Sequence, residues 1–166
     1  MTPRTLLLVR HAEAGHAPPG ATDRERALSA HGRAQASAIG DLIADGTLPE
    51  PQLAFTSIAT RARETWDAAA AAAHLTIPTF AEPVLYGADR DELIALVREV
   101  SDGVRVLVVV GHAPEIPLLA RHVRDARPNA APLISWPPGC VGVVEVAGGW
   151  ESFPDAAALV LTRVIP

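Results

Sequence analysis

Two short runs of aliphatic residues constrain the fold of this chain more than any other feature of its sequence. The runs are LLLV at 6–9 and VLVVV at 106–110. The first is followed directly by Arg10 and His11, and the second by Gly111 and His112. Such short and continuously apolar runs are typical of strands buried on both faces, which occur in parallel sheets covered by helices. We therefore expect an α/β fold built on a mostly parallel sheet.

The rest of the chain alternates between strand and helix patterns, as such a sheet requires. Ser29 is a suitable helix N-cap with Gly46 as a stop, and Asp89 with Glu92 forms a capping-box pattern. Strands are expected at 5–9, 52–56, 104–111, 140–146 and 158–164, and helices at 29–45, 60–74, from Asp89 onward and at 113–123. The pattern predicts a three-layer sandwich, with helices flanking the central sheet, in one domain over residues 1–166.

Composition excludes several classes of function. The net charge of −5 argues against a general nucleic-acid or membrane-surface role, and all fourteen basic side chains are arginines. The apolar runs are far shorter than the ~20 residues that cross a bilayer, and no signal-peptide pattern is present. A single cysteine allows no internal disulfide, so a cytoplasmic location is expected.

Polar side chains follow three of the predicted strands at the point where each strand ends. Arg10 and His11 follow the first strand, His112 follows the strand at 104–111, and Arg61 lies near the start of the helix after the second strand. In open α/β sheets, ligands bind beyond the carboxyl ends of the strands. Two arginines, two histidines and a helix N-terminus in one place are suited to hold a phosphoryl dianion.

Other polar residues have simpler interpretations. His16, His31, His74 and His122 are expected at the surface or at helix ends, and Cys140 as a buried strand residue. A metal site formed by His11, Glu13 and His16 is disfavoured because these residues fall in a predicted loop and not on one face of a helix. No metal or cofactor is therefore expected. The proline-rich segment 126–139 is interpreted as a surface connector, with rimming a pocket as the alternative.

Three blocks of the sequence resemble the signature of the histidine phosphatase superfamily. They are RHA at 10–12, SIATRARET at 57–65 and GHAPEI at 111–116, and DRERALSAHGRAQA at 23–36 is similar to the short SixA-like branch of phosphohistidine phosphatases. The resemblance implies the phosphoglycerate mutase-like fold. It also implies that His11 is a nucleophile that becomes phosphorylated, that Arg10 and Arg61 clamp the phosphoryl oxygens, and that His112 donates a further hydrogen bond.

The chain departs from this family in two places. Ile58 follows Ser57 where many members have proline, and the chain is too short for the inserted segment that carries a carboxylic general acid. Glu82 aligns best with that acid, although a solvated loop glutamate is an equal interpretation; Glu13 is a second candidate, and Asp89 is better explained as a helix cap.

The resemblance implies a metal-independent phosphatase that acts on protein phosphohistidine and releases inorganic phosphate. A small-molecule phosphomonoesterase with the same pocket is one alternative, and a non-catalytic phosphoryl-binding module is another. Phosphoglycerate mutase activity is disfavoured because the inserted segment is missing.

Overall fold

A seven-stranded sheet is the central layer of the structure, a computed structural model that describes residues 3–87, 89–127 and 136–166. The strands are β1 (Arg4–Arg10), β2 (Leu53–Ser57), β3 (Thr79–Glu82), β4 (Val106–Gly111), β5 (Arg124–Asp125), β6 (Val141–Val146) and β7 (Ala157–Arg163). Their order is β3-β2-β4-β1-β6-β7-β5. Among these strands only β6 runs against the others, which confirms the mostly parallel sheet.

Helices cover both faces of this sheet. They are α1 (Ala30–Ala44), α2 (Thr60–Ala72), α3 (Arg90–Arg98) and α4 (Glu115–Ala120). Side chains of β1 alternate between two cores: Leu7 and Val9 pack with residues of α1 and α2, whereas Leu6 and Leu8 pack with residues of α3 and α4. The predicted three-layer sandwich is therefore confirmed. In the described ranges, every helix is too short or too polar to pass through a bilayer.

The two predicted helix caps are present. The Ser29 hydroxyl accepts a hydrogen bond from the Gly32 N–H at 2.9 Å, and α1 begins at the next residue. The Asp89 carboxylate accepts from the N–H of Glu92 at 3.0 Å, while the Glu92 carboxylate accepts from the Asp89 N–H at 3.0 Å. Both caps satisfy N–H groups that have no partner within the helix, so these helices start where the sequence predicts.

Three elements differ from the sequence prediction. Helix α4 ends at Ala120 instead of residue 123, because the chain then turns into the two-residue strand β5. Neither β5 nor the edge strand β3 was predicted. Both are short, and their side chains are mostly exposed, so they lack the apolar pattern that identifies a strand. Of the predicted connector 126–139, residues 128–135 lie outside the described residues.

The pairing of the central strands determines where their ends lie. Strands β2, β4 and β1 are adjacent and parallel, with Arg10 opposite Gly111 and Thr56 opposite Val110. Their carboxyl ends therefore reach the same edge of the sheet, and the residues that follow them are brought together there.

Candidate active site

The predicted residues meet at this carboxyl edge. His11 follows β1, His112 follows β4, and Arg61 is the second residue of α2. The rings of His11 and His112 are 5.1 Å apart between centroids, and Arg61 Nε lies 3.3 Å from His11 Nε2. All three side chains are less than 9% exposed as residues, which makes them a buried basic cluster instead of solvated loop residues.

The hydrogen bonds of His11 define its protonation state. Nδ1–H donates to the carbonyl oxygen of its neighbour Ala12 at 2.7 Å, and Nε2 accepts from Arg61 Nε–H. Burial, opposed by the bond to Ala12 and reinforced by the charges of Arg61 and Arg10, lowers the pKa of His11 from 6.5 to about 4. At neutral pH the ring is uncharged, and its lone pair is on Nε2, beside the guanidinium of Arg61.

The backbone around His11 is held from three directions. The His11 N–H donates to the Gly111 carbonyl at 2.9 Å, and the His11 carbonyl accepts from the Gly139 N–H at 3.0 Å. The Ala12 N–H donates to the buried Thr65 hydroxyl at 3.0 Å, and that hydroxyl donates to the Arg61 carbonyl at 2.6 Å. Thr65 therefore joins the His11 segment to the helix that carries Arg61.

Helix α1 supports the segment that follows His11. A Cβ at Gly32 would lie 1.9 Å from the Glu13 carbonyl oxygen, so only glycine allows the helix to approach this closely. The Gln35 side chain accepts from the Glu13 N–H at 3.0 Å and donates to the Ile165 carbonyl at 2.9 Å. The role of the GRAQ portion of block 23–36 in this structure is thus to position the backbone beside the site.

Arg61 is held by a residue that the sequence analysis did not identify. Its Nη1 donates to the carbonyl oxygen of Asp23 at 2.8 Å and its Nη2 to the Asp23 carboxylate at 3.0 Å. Asp23 lies in a 3-10 turn (Asp23–Glu25), and its carboxylate also accepts from the Tyr86 hydroxyl at 2.9 Å. No spacing in the sequence links positions 23, 61 and 86, so only the fold reveals this contact.

His112 is positioned by the end of β2. Its Nε2 lies 2.8 Å from the hydroxyl of Ser57, and the ring of Tyr86 packs edge-on against it with centroids 5.5 Å apart. Burial, then the charges of His11 and Arg61, lower the pKa of His112 to about 3. The ring is therefore neutral at pH 7. Its Nδ1 is buried and has no hydrogen-bond partner among the described residues.

Arg10 contacts the connector before β6. Its Nη1 donates to the Trp136 carbonyl at 2.8 Å, and its buried Nε has no partner among the described residues. Trp136 is itself buried, and its ring packs closely against Gly142. A Cβ at Gly142 would lie 2.6 Å from that ring. The interpretation of 126–139 as a plain surface connector is therefore wrong for residues 136–139, since the burial of Trp136 places these residues against the site, as the pocket-rim alternative predicts.

The two candidates for a general acid, Glu82 and Glu13, lie in different surroundings. Glu82 is the last residue of β3, in register with Ser57, so it sits at the same sheet edge but on a strand instead of the loop considered above. No hydrogen bond or ion pair of its carboxylate is found among the described residues. Glu13 accepts from the Ser29 hydroxyl at 2.6 Å, which places its carboxylate at the start of α1.

The other histidines lie at the surface, as predicted. His16, His31, His74 and His122 are exposed. Cys140 is buried immediately before β6, and burial raises the pKa of its thiol to about 11, so it is a thiol at neutral pH. Within residues 3–87, 89–127 and 136–166, no three His, Cys, Asp or Glu side chains lie together in a way that could hold a metal ion.

Comparisons with known proteins identify the family of this chain. Residues 6–85 match the sequence profile of the histidine phosphatase superfamily, branch 1. An uncharacterized protein of Mycobacterium tuberculosis is 34% identical over 160 residues, covering 92% of this chain and 96% of the relative.

Solved structures extend the likeness to the whole chain. A protein from Nakamurella multipartitia, named as a candidate phosphohistidine phosphatase SixA, superposes with a TM-score of 0.86 and 31% identity over 99% of this chain and 98% of its own. A phosphoglycerate mutase from Plasmodium falciparum shares the fold alone, with a TM-score of 0.62 and 16% identity over 99% of this chain and 91% of its own. This chain belongs to the histidine phosphatase superfamily, in its SixA-like branch.

Proposed function

We propose that this protein is a metal-independent phosphatase that works through a covalent phosphohistidine on His11. One observation carries the proposal: the unprotonated Nε2 of a buried, neutral His11 lies 3.3 Å from the guanidinium Nε of Arg61. At this separation, a nucleophile and a fixed cation can contact the same phosphoryl group, the nucleophile at phosphorus and the cation at the oxygens. Membership of the superfamily supports the same chemistry.

The reaction has two steps. When substrate binds, the Arg61 Nε–H moves from His11 Nε2 to a phosphoryl oxygen, which frees the Nε2 lone pair. Nε2 then attacks phosphorus, a P–N bond forms, and the bond from phosphorus to the leaving group breaks. The Ala12 carbonyl, which accepts from Nδ1–H, stabilises the positive charge that develops on the imidazole. Water then attacks the phosphorus, which releases inorganic phosphate and restores neutral His11. The buried guanidinium of Arg61, held in place by Asp23, stabilises the charge on the transferring oxygens.

Two further donors support the assignment of a phosphoryl ligand. Arg10 Nε and His112 Nδ1 are buried polar atoms without a protein partner in the described part of the chain. An unpaired buried donor costs about 1–3 kcal/mol, so such groups normally have an acceptor. When the Ser57 hydroxyl donates to His112 Nε2, the proton of the neutral ring is on Nδ1, and that N–H is free for a phosphoryl oxygen.

The substrate that best suits this site is a phosphoramidate, and protein phosphohistidine is the one that we propose. A leaving imidazole is protonated by solvent, which weakens the P–N bond without a dedicated general acid. The leaving group of an alkyl phosphate is an alkoxide, which depends on a general acid to protonate it. The relative from Nakamurella multipartitia is itself named as a candidate phosphohistidine phosphatase.

A substrate panel tests the proposal. Release of inorganic phosphate is measured from a phosphohistidine peptide, phosphoramidate, p-nitrophenyl phosphate and an alkyl phosphate, with wild type and His11→Ala. We expect the phosphoramidates to turn over fastest and His11→Ala to lose at least about a thousandfold in kcat. His31→Ala removes an exposed histidine of α1 and should retain wild-type activity.

The two alternative functions give different results in the same panel. A small-molecule phosphomonoesterase would favour sugar or nucleotide phosphates over the phosphohistidine peptide. A phosphoryl-binding module would bind orthophosphate or vanadate, with His112→Ala weakening that binding, yet would turn over no member of the panel. Equal turnover by wild type and His11→Ala would contradict the nucleophilic role of His11.

A further inference from the structure

We propose that Asp23 is a positioning residue for catalysis, which orients the guanidinium of Arg61 toward the nucleophile. This inference rests on the proposed function and assigns a role to a residue that is not among the predicted site residues. Asp23 contacts Arg61 through two acceptors, its carbonyl oxygen at 2.8 Å and its carboxylate at 3.0 Å. The carboxylate contact is also an ion pair.

The two contacts fix the plane of the guanidinium. Nη1 and Nη2 are both held by Asp23, on the edge of the group away from Nε. Rotation about the Cδ–Nε bond is thereby blocked, and Nε remains 3.3 Å from His11 Nε2. A guanidinium has five N–H donors in a rigid fork, so donors remain available for phosphoryl oxygens after these contacts are made.

Asp23 is in turn anchored by two further side chains. The Tyr86 hydroxyl donates to the carboxylate oxygen that Arg61 contacts, at 2.9 Å, and Arg26 Nη1 donates to the other oxygen at 3.1 Å. Arg26 Nε also donates to the Gly15 carbonyl at 2.9 Å. The carboxylate of Asp23 is about half exposed, and without these anchors it would have several rotamers available. The network therefore gives an exposed carboxylate one defined orientation.

The ionised state of the Asp23 carboxylate distinguishes a positioning residue from a general acid. Hydrogen bonds from Arg26, Tyr86 and Arg61 lower the pKa of Asp23 to about 2. The carboxylate has no proton to give at neutral pH. Loss of Asp23 should therefore slow the reaction by the same factor whatever the basicity of the leaving group, whereas loss of a general acid slows poor leaving groups most.

Asp23→Ala and Asp23→Asn test the inference on p-nitrophenyl phosphate and on an alkyl phosphate. We expect kcat to fall about thirtyfold in Asp23→Ala on both substrates, because a misdirected catalytic group costs on the order of 10²-fold. Asp23→Asn keeps the carbonyl oxygen and one side-chain oxygen as acceptors for Arg61, but it loses the charge and the acceptor for Arg26, and it should lose about fivefold. Tyr86→Phe should lose about threefold. Asp155→Asn, which alters an exposed aspartate paired with Arg98, is the matched control and should change nothing.

Two results would overturn the inference. One is a kcat for Asp23→Ala within twofold of wild type, and the other is a loss on the alkyl phosphate at least ten times that on the aryl phosphate. If Asp23→Ala does not fold, kcat of Asp23→Asn is compared with wild type on the aryl and the alkyl phosphate instead.

An NMR readout separates this inference from the proposed function. The Nε–H resonance of Arg61 should be sharp and protected from exchange in wild type, and exchange-broadened in Asp23→Ala. If wild type turns over no substrate, the proposed function fails, and the Nε–H signal still decides whether Asp23 orients Arg61. An unchanged signal in Asp23→Ala contradicts the positioning role.

Discussion

The neutral state of His11 predicts an unusual pH dependence of stability. An unfolded histidine titrates near 6.5, whereas burial and the neighbouring arginines lower the pKa of His11 in the folded protein to about 4. Above pH 6.5 neither state binds the proton. As the pH falls from 6.5 toward 4, the unfolded chain takes up a proton that folded His11 refuses, so stability is lost in that window.

The size of this effect follows from the two pKa values. Lowering the pH from 7 to 5 should cost about 2 kcal/mol of folding free energy through His11 alone. His112 acts in the same direction, since its pKa is lowered to about 3. His11→Gln removes the titrating group and should therefore lose about 2 kcal/mol less than wild type over the same pH interval.

Urea unfolding of both proteins at pH 7 and pH 5 measures this difference. In parallel, the ring Cε1–H resonance that disappears in His11→Gln should retain the shift of a neutral imidazole at pH 5. The reasoning is refuted if both proteins lose equal stability between these pH values, or if the His11 resonance titrates with a midpoint above 6.

Three substitutions test the supports of the site. Thr65→Val leaves the buried Ala12 N–H without an acceptor and should cost about 1–3 kcal/mol in urea unfolding; an unchanged midpoint would contradict the contact. Gly32→Ala should cost at least about 2 kcal/mol, because the new Cβ meets the Glu13 backbone, whereas Gly103→Ala, with its nearest neighbour 3.8 Å away, should be tolerated. Glu82→Gln should leave phosphoramidate turnover within threefold, because a leaving imidazole needs no acid from the protein; a loss above tenfold on phosphoramidates would contradict that argument, and a loss confined to alkyl phosphates would identify Glu82 as an acid.

Much of the fold could be predicted because its signals are local. The aliphatic runs at 6–9 and 106–110 predict buried strands, and Ser29 and Asp89 predict helix starts, each within a few residues of sequence. Strand β3 gave no such signal, since three of its four side chains are exposed. An exposed edge strand is stabilised by its pairing with β2, which a local pattern cannot show.

The residues of the site divide in the same way. Arg10, His11 and His112 could be found because Arg10 is the last residue of a buried strand and each histidine directly follows one, and parallel pairing then brings the strand ends together. Asp23 and Trp136 could not, because each reaches the site through a hydrogen bond between positions distant in the chain. Such contacts depend on how loops fold across the finished sheet.

Trapping the intermediate tests the central claim most directly. Enzyme mixed with ³²P-labelled phosphoramidate substrate and quenched in alkali during turnover should carry about one labelled phosphate per chain at most, on His11, stable to alkali and lost in acid. Mass spectrometry of the quenched peptide that contains residues 5–15 identifies the position. Turnover without label on that peptide, or label that persists in His11→Ala, would contradict a covalent phosphohistidine at this site.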